Sequence, residues 1–221
     1  MFVAFLILLL FIVAIPFLIV WVAARRRKAM EAAARQFGWT YSAEAPGYAE
    51  QFAIYSLFGQ GRNRKALNVL TGQRDGVPVE VFDYEHTSHS SASSKKTSHT
   101  IVHVDLAALA LPTFAAYPET VAEKLAAAVG MQDIDLPEHP VFSGQFVLRG
   151  PDEAAVRARF VDPVPDVFSA NHGVSAEGGG THLFVYHEGR LAPPDQLQVL
   201  LTEATGIVRA FLASAPHTSG Y

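Results

Sequence analysis

An uncharged, mostly apolar run of 23 residues, Phe2 to Ala24, ends abruptly at Arg25-Arg26-Arg27-Lys28. As a helix it would span about 34 Å, enough for a hydrocarbon core of about 30 Å with modest tilt. No Asp, Glu, Lys, Arg or His interrupts it. The sequence therefore predicts a transmembrane helix over 2–24, a basic juxtamembrane helix over 25–38 and a soluble domain over 39–221. Pro16 is expected to kink the helix rather than end it. Trp21 lies one turn from the basic flank, at the depth where an indole meets lipid headgroups. A cleaved signal peptide fits less well, because no Lys or Arg precedes the run and the run exceeds an h-region of about 7–15 residues. A buried core helix is rarely apolar on every face.

Positive charge is retained on the cytoplasmic side of a membrane. Arg25, Arg26, Arg27 and Lys28 thus read as a topology signal. They predict a single-pass protein of the plasma membrane, with its N-terminus outside and residues 25–221 in the cytoplasm. The chain has no cysteine and no N-x-Ser/Thr acceptor, in keeping with a reducing compartment. Four of the 17 Lys and Arg lie at 25–28 and all 21 Asp and Glu come later, so residues 29–221 carry a formal charge of −8. An acidic domain beside an anionic leaflet is repelled from it, and it lacks the electropositive footprint that nucleic acid requires. The partners implied are the lipid bilayer and a membrane protein engaged through the span, not nucleic acid.

Past the span, Ala29 to Gln36 are strong helix formers and Gly38 is a natural stop. Trp39-Thr40-Tyr41 reads as a short strand. Tyr48, Phe52, Tyr55 and Phe58 fall near helical spacing and predict a short amphipathic helix within Glu44–Phe58. Leu67–Leu70 and Val77–Tyr84 flank Asp75-Gly76, a hairpin turn dipeptide, with Pro78 pointing to an edge or bulge. A polar loop is expected over Ser88–Ser98 and a third strand over His99–Leu106. Tyr117-Pro118-Glu119 opens a helix that Gly130 closes. A strand at Gln145–Leu148 and a helix from Glu153 to Val161 follow, broken by Asp162-Pro163-Val164-Pro165. Gly173–Ala176 and His182–Tyr186 form a second hairpin, turning at Gly178-Gly179-Gly180. The last helix begins near Pro194-Asp195 and carries Leu197, Leu200, Leu201, Ala204, Ile207, Val208, Phe211 and Leu212 on one broad apolar face. Strands that come in hairpins predict an α+β fold with an antiparallel sheet and packed helices.

The basic stop, the juxtamembrane helix ending at Phe37-Gly38-Trp39, the stretch Gly59-Gln60-Gly61-Arg62-Asn63-Arg64-Lys65, Asn68-Val69-Leu70-Thr71-Gly72 and Val81-Phe82-Asp83-Tyr84 together resemble uncharacterised single-pass membrane proteins of actinobacterial type. The resemblance covers most of the chain. It implies this architecture and no activity, cofactor or catalytic residue.

The chemistry-bearing residues gather on one hairpin. His86 and His89 end one strand, and His99 and His103 open the next. Centring the hairpin in the Ser-rich loop places His86 opposite His99 and Phe82 opposite His103. Imidazoles so placed, with Glu85 or Asp105 nearby, are candidates for a zinc-class cation; histidines flanking a Ser-rich loop are otherwise simply solvated. Gly59–Lys65 could cradle a phosphate, but Arg64 stands where a dinucleotide loop needs its third glycine, and no Gly-Lys-Ser/Thr follows. It reads better as a charged connector. His187-Glu188 starts like a zinc-protease motif, yet Leu191 occupies the second ligand position. No nucleophile elbow or thiol nucleophile is present. Asp133 and Asp135 read as surface charge, as do Glu119 and Glu123 on a helix face. The aromatic residues of 39–58 read as core. The sequence thus favours a binding or interaction module at the inner membrane face, with no cofactor. The alternative is a membrane-tethered metal-dependent hydrolase built on His86, His99 and His103.

Overall fold

The computed structural model describes residues 2–89, 94–121 and 133–214, with backbone alone for 2–13 and 89. Helix α1 (Phe2–Phe37) passes through the expected span and juxtamembrane segment as one piece. It stops at Gly38, where φ is +70°, Trp39 N donates to Ala34 O at 2.8 Å and Gly38 N to Arg35 O at 3.2 Å. Those two bonds satisfy carbonyls that a helix end leaves orphaned, and glycine adopts the left-handed turn without a Cβ clash. Among the described residues no helix is long and apolar enough to cross a membrane. The side chains of 2–13, about half of the expected span, lie outside that description.

The domain is α+β, as its hairpin pattern predicts. Its strands are β1 (Thr40–Glu44), β2 (Arg62–Arg74), β3 (Val77–His89), β4 (Ser94–Asp105), β5 (Leu111–Pro118), β6 (Phe146–Arg149), β7 (Val174–Gly180) and β8 (His182–His187). They form one sheet in the order β1-β2-β3-β4-β8-β7-β5-β6, every neighbouring pair antiparallel. The helices are α2 (Tyr48–Gln51), α3 (Ser56–Gly59), α4 (Pro140–Ser143), α5 (Glu153–Arg159), α6 (Val164–Ala170) and α7 (Leu197–Ala213). One sheet face carries Leu70, Val81, Val102, Val185 and Ala176 against Met30, Ala33 and Ala34 of α1, the apolar stripe of α7 and a Phe142/Phe160/Phe168/Phe211 group. The other face carries Phe82, Tyr84, Ile101, Phe184 and Tyr186 against Phe52, Tyr55 and Phe58, residues of and around α2 and α3. Each fully buried aromatic or aliphatic side chain stabilises the fold by about 1.5–3 kcal/mol.

Asp75 and Gly76 both have positive φ, 51° and 79°, and join Arg74 to Val77 in the expected tight hairpin. Pro78 pairs with Gln73 of β2 but precedes the β3–β4 ladder, which starts at Glu80↔His103, so its missing N–H costs no sheet bond on that side. A bulge in β2 between Leu67 and Leu70 places Asn68 at φ 53°, a conformation that Asn tolerates better than most residues.

Other segments depart from the sequence reading. Glu44–Phe58 forms two single-turn helices instead of one, because the aromatic residues must reach the sheet from a tight turn at Phe52–Tyr55. The expected loop Ser88–Ser98 is mostly strand, with pairing from Glu85↔Ser98 to His89↔Ser94; residues 90–93 lie outside the described residues. Lys65 and its neighbours belong to β2 rather than to a connector. Leu111–Pro118 is a strand that its Pro-flanked sequence conceals. The helix expected over 117–130 begins only at 119, and 122–130 lie outside the described residues. Val164–Ala170 is helical, with Pro165 in the first turn where its missing N–H is harmless. Gly178 and Gly179 are strand, not turn: a Cβ on Gly178 would stand 2.6 Å from Phe114, so the glycines let β5 and its ring pack closely on β7.

Candidate functional site

Of the three candidate histidines, His86 and His99 lie together and His103 stands apart. The β3–β4 register pairs Tyr84 with His99, His86 with Thr97 and Glu80 with His103, two residues away from the symmetric hairpin. A two-residue slip preserves the face, so His86 and His99 still share it and stack with ring centroids 5.7 Å apart. Both are buried, and burial lowers both pKa values, that of His99 to about 4. Gly189 N donates to His99 Nδ1 at 2.9 Å. These two are neutral core imidazoles packed beside Tyr84. His103 belongs to a different group.

That group lines a cleft of about 380 Å³ under α2, bounded by Tyr48, Gln51, Phe52, Glu80, His103 and His182 among others. The Glu80 Oε2 carboxylate oxygen accepts from Tyr48 OH and faces His103 Nδ1 at 3.0 Å. His103 Nε2 lies 3.1 Å from His182 Nδ1. An ionised carboxylate only accepts, so His103 carries its proton on Nδ1 and takes a bond from His182 Nδ1–H. The hydrogen bond from His103 holds the Glu80 carboxyl below its ordinary range, and burial lowers the pKa of His182. The result is a polarised chain from a carboxylate, through a buried imidazole, to a half-exposed one. The sequence reading weighed His103 but missed Glu80, because the register that sets it opposite His103 is two residues from the symmetric one, and His182, because β4 and β8 are adjacent only in the folded sheet.

A second polar group sits deeper on the same face. Glu177 Oε1 accepts from Ser56 Oγ at 2.8 Å, Leu57 N at 3.0 Å, Tyr117 OH at 2.6 Å and Tyr186 OH at 3.2 Å. Complete burial raises its pKa. This group pins the first turn of α3 to the sheet.

On the opposite face, Arg26 leaves the run of four cations and enters the domain. Its guanidinium bonds both oxygens of Asp83, at 2.6 and 2.7 Å, and the Ala192 carbonyl at 3.1 Å. Asp83 also accepts from Asn68 Nδ2 at 2.9 Å and Thr100 Oγ1 at 2.8 Å. The Asn68 bulge serves this carboxylate. Arg25 lies over the Trp21 ring, 5.4 Å from its centroid.

The fold is one already seen in a solved protein. The crystal structure of the mycobacterial trehalose monomycolate transport factor A, TtfA, matches with a TM-score of 0.57 and 13% identity, over 86% of this chain and 96% of that one. At this identity the likeness to TtfA is one of fold. No protein-family model and no curated protein matches the chain.

The remaining sequence candidates have structural partners. Asp133, read as surface charge, pairs with the buried Arg149 at 2.7 Å. His187 faces the Gly173 carbonyl and Glu203, each at 2.9 Å. Among the described residues, His139, Asp162 and Asp166 are three donors whose atoms lie within 4.8 Å of one another, on the surface and with both carboxylates exposed.

Proposed function

We propose that this chain is a single-pass membrane-anchored module that binds a partner or ligand at the inner membrane face instead of turning over a substrate. Phe2–Ala24 is the anchor in this reading, and Arg25, Arg26, Arg27 and Lys28 keep the domain in the cytoplasm. The observation that carries the reading is mechanical. Helix α1 enters the domain without a break, buries Met30 and Ala34 completely and locks Arg26 onto Asp83. Whatever holds residues 2–24 therefore also sets the orientation of the sheet and of the cleft beneath α2. A flexible linker would not do this. The fold shared with TtfA, which is named as a transport factor, supports an accessory role in transport, while the resemblance to actinobacterial single-pass proteins supports the anchored architecture alone. The hydrolase alternative on His86, His99 and His103 gains nothing from the geometry, since the first two are neutral core residues and the third serves another group.

The test combines extraction and topology. The chain is expected to stay with membranes in alkaline carbonate and to activate a cytoplasm-only reporter fused at Tyr221. Release by carbonate, or activity of an export-only reporter, would overturn the reading.

A further inference from the structure

The cleft beneath α2 holds donors that point to a ligand beyond this role. His103 and Asp105 are two residues apart on β4, so both project from one sheet face. The β4–β8 register sets Asp105 opposite His182 and His103 opposite Phe184. An imidazole, a second imidazole and a carboxylate therefore adjoin one another across two strands. His103 Nε2 is 3.1 Å from His182 Nδ1, and His182 Nδ1 is 3.6 Å from Asp105 Oδ1. Behind them, on a third strand, Glu80 takes the hydrogen of His103 Nδ1 and is itself held by Tyr48. A carboxylate on the far nitrogen of an imidazole is the device that fixes the orientation and raises the basicity of histidine ligands. Side-chain exposure rises along the row, from 5% at His103 to 28% at His182 and 58% at Asp105, so the row runs from the core to the mouth of the cleft. No Lys or Arg is among the described residues lining it.

We infer that His103 Nε2, His182 Nδ1 and Asp105 form a binding site for a divalent transition-metal ion of the zinc class, with Glu80 orienting His103. Two nitrogens 3.1 Å apart lie close to the separation of about 3.3 Å that tetrahedral ligands about 2.0–2.1 Å from one ion adopt. The ion replaces the hydrogen between the imidazoles. His182 then carries its hydrogen on Nε2, so the pair needs no change of net charge. Imidazole donors select zinc, copper, nickel or cobalt over magnesium or calcium. The three donors do not yet lie within 4.8 Å of one another, as those of His139, Asp162 and Asp166 do. The open separation is between His103 and Asp105, and metal binding at this site requires the exposed Asp105 carboxylate to close it by rotating about its own side-chain bonds. The surface group has a tighter span but only one imidazole, with both carboxylates exposed, and it serves as the control.

The full chain, purified in detergent and stripped of metal, is titrated with Co²⁺ and followed by visible absorption, then challenged with Zn²⁺. One equivalent of Co²⁺ is expected to give a ligand-field band that Zn²⁺ removes. His182→Gln and Asp105→Asn, both at partly exposed positions, should weaken binding at least about tenfold, and Glu80→Gln by a similar factor. Paired Asp162→Asn and Asp166→Asn should leave it unchanged. Circular dichroism and the metal-free unfolding midpoint establish that each variant is folded. Absence of a band at micromolar Co²⁺, binding indifferent to His182→Gln, or binding lost with the Asp162/Asp166 pair would each overturn the site.

Discussion

Arg26 of α1 grips Asp83 of β3 through two parallel hydrogen bonds, Nε to Oδ2 at 2.6 Å and Nη2 to Oδ1 at 2.7 Å. The pair is nearly dry, with side chains 17% and 3% exposed. A planar guanidinium matches a carboxylate in this way, whereas an ammonium does not. A residue that reads in the sequence as one of four equivalent cations is thus the joint between the N-terminal helix and the sheet.

Breaking this joint on one side leaves a buried charge without its partner. Arg26→Gln is expected to destabilise the domain by about 3 kcal/mol. Asn68 and Thr100 retain part of the satisfaction of Asp83. The double variant Arg26→Gln/Asp83→Asn should lose less than the sum of the two single variants, because neither group is then left charged and alone. Urea unfolding of the four proteins measures the coupling, and additive losses would show that the pair is not a joint.

Glu177 is the acceptor for four donors, so its replacement should expose their dependence on it. Glu177→Leu orphans buried hydroxyls and the Leu57 N–H and is expected to cost about 3 kcal/mol or more. Glu177→Gln keeps an acceptor and removes a buried charge, and it should cost clearly less. Thermal unfolding midpoints that rank the two in the opposite order would refute the role assigned to the carboxylate.

His99 should make the fold acid-sensitive. Its pKa is about 4 when folded and about 6.5 when exposed. Between these values the unfolded chain binds the extra proton, so stability is complete above pH 6.5 and is lost as pH falls toward 4. The span is about 2.5 units, or about 3 kcal/mol at most. Glu177 acts in the opposite direction, since its raised pKa favours the folded state as acid is added. The effect of His99 is therefore read as a difference: His99→Gln should flatten the stability profile between pH 6.5 and 4 relative to the unaltered chain, and an identical profile would contradict it.

Gly178 is a packing residue. In Gly178→Ala the new methyl carbon would meet Phe114 at 2.6 Å and Leu111 at 3.0 Å. The expected loss is about 1–3 kcal/mol. Shortening the opposing side chain should relieve the clash, so Gly178→Ala/Phe114→Leu should be more stable than the sum of the two losses. Chemical denaturation of the three variants is the measurement.

The amino-acid sequence by itself determined the elements whose signals lie within a few residues. The continuous helix, its stop at Gly38, the Asp75-Gly76 hairpin and the apolar face of α7 follow from helix propensity, the glycine at a left-handed position, turn chemistry and a 3.6-residue period. The α+β class followed from strands arriving in hairpins. The tertiary structure alone decided what depends on partners far along the chain. Leu111–Pro118 is a strand because it fits between β7 and β6, and Gly178 lies in β7 where Phe114 and Leu111 fill the space that a Cβ would take. Arg26 and Asp83 are 57 residues apart, and His103 and His182 are 79 apart. Local propensity says nothing about which strand lies beside which, and a register shift of two residues leaves every face pattern unchanged while giving each side chain a new neighbour. The faces of the histidines were therefore legible in the sequence, but their partners were fixed only when the whole sheet assembled.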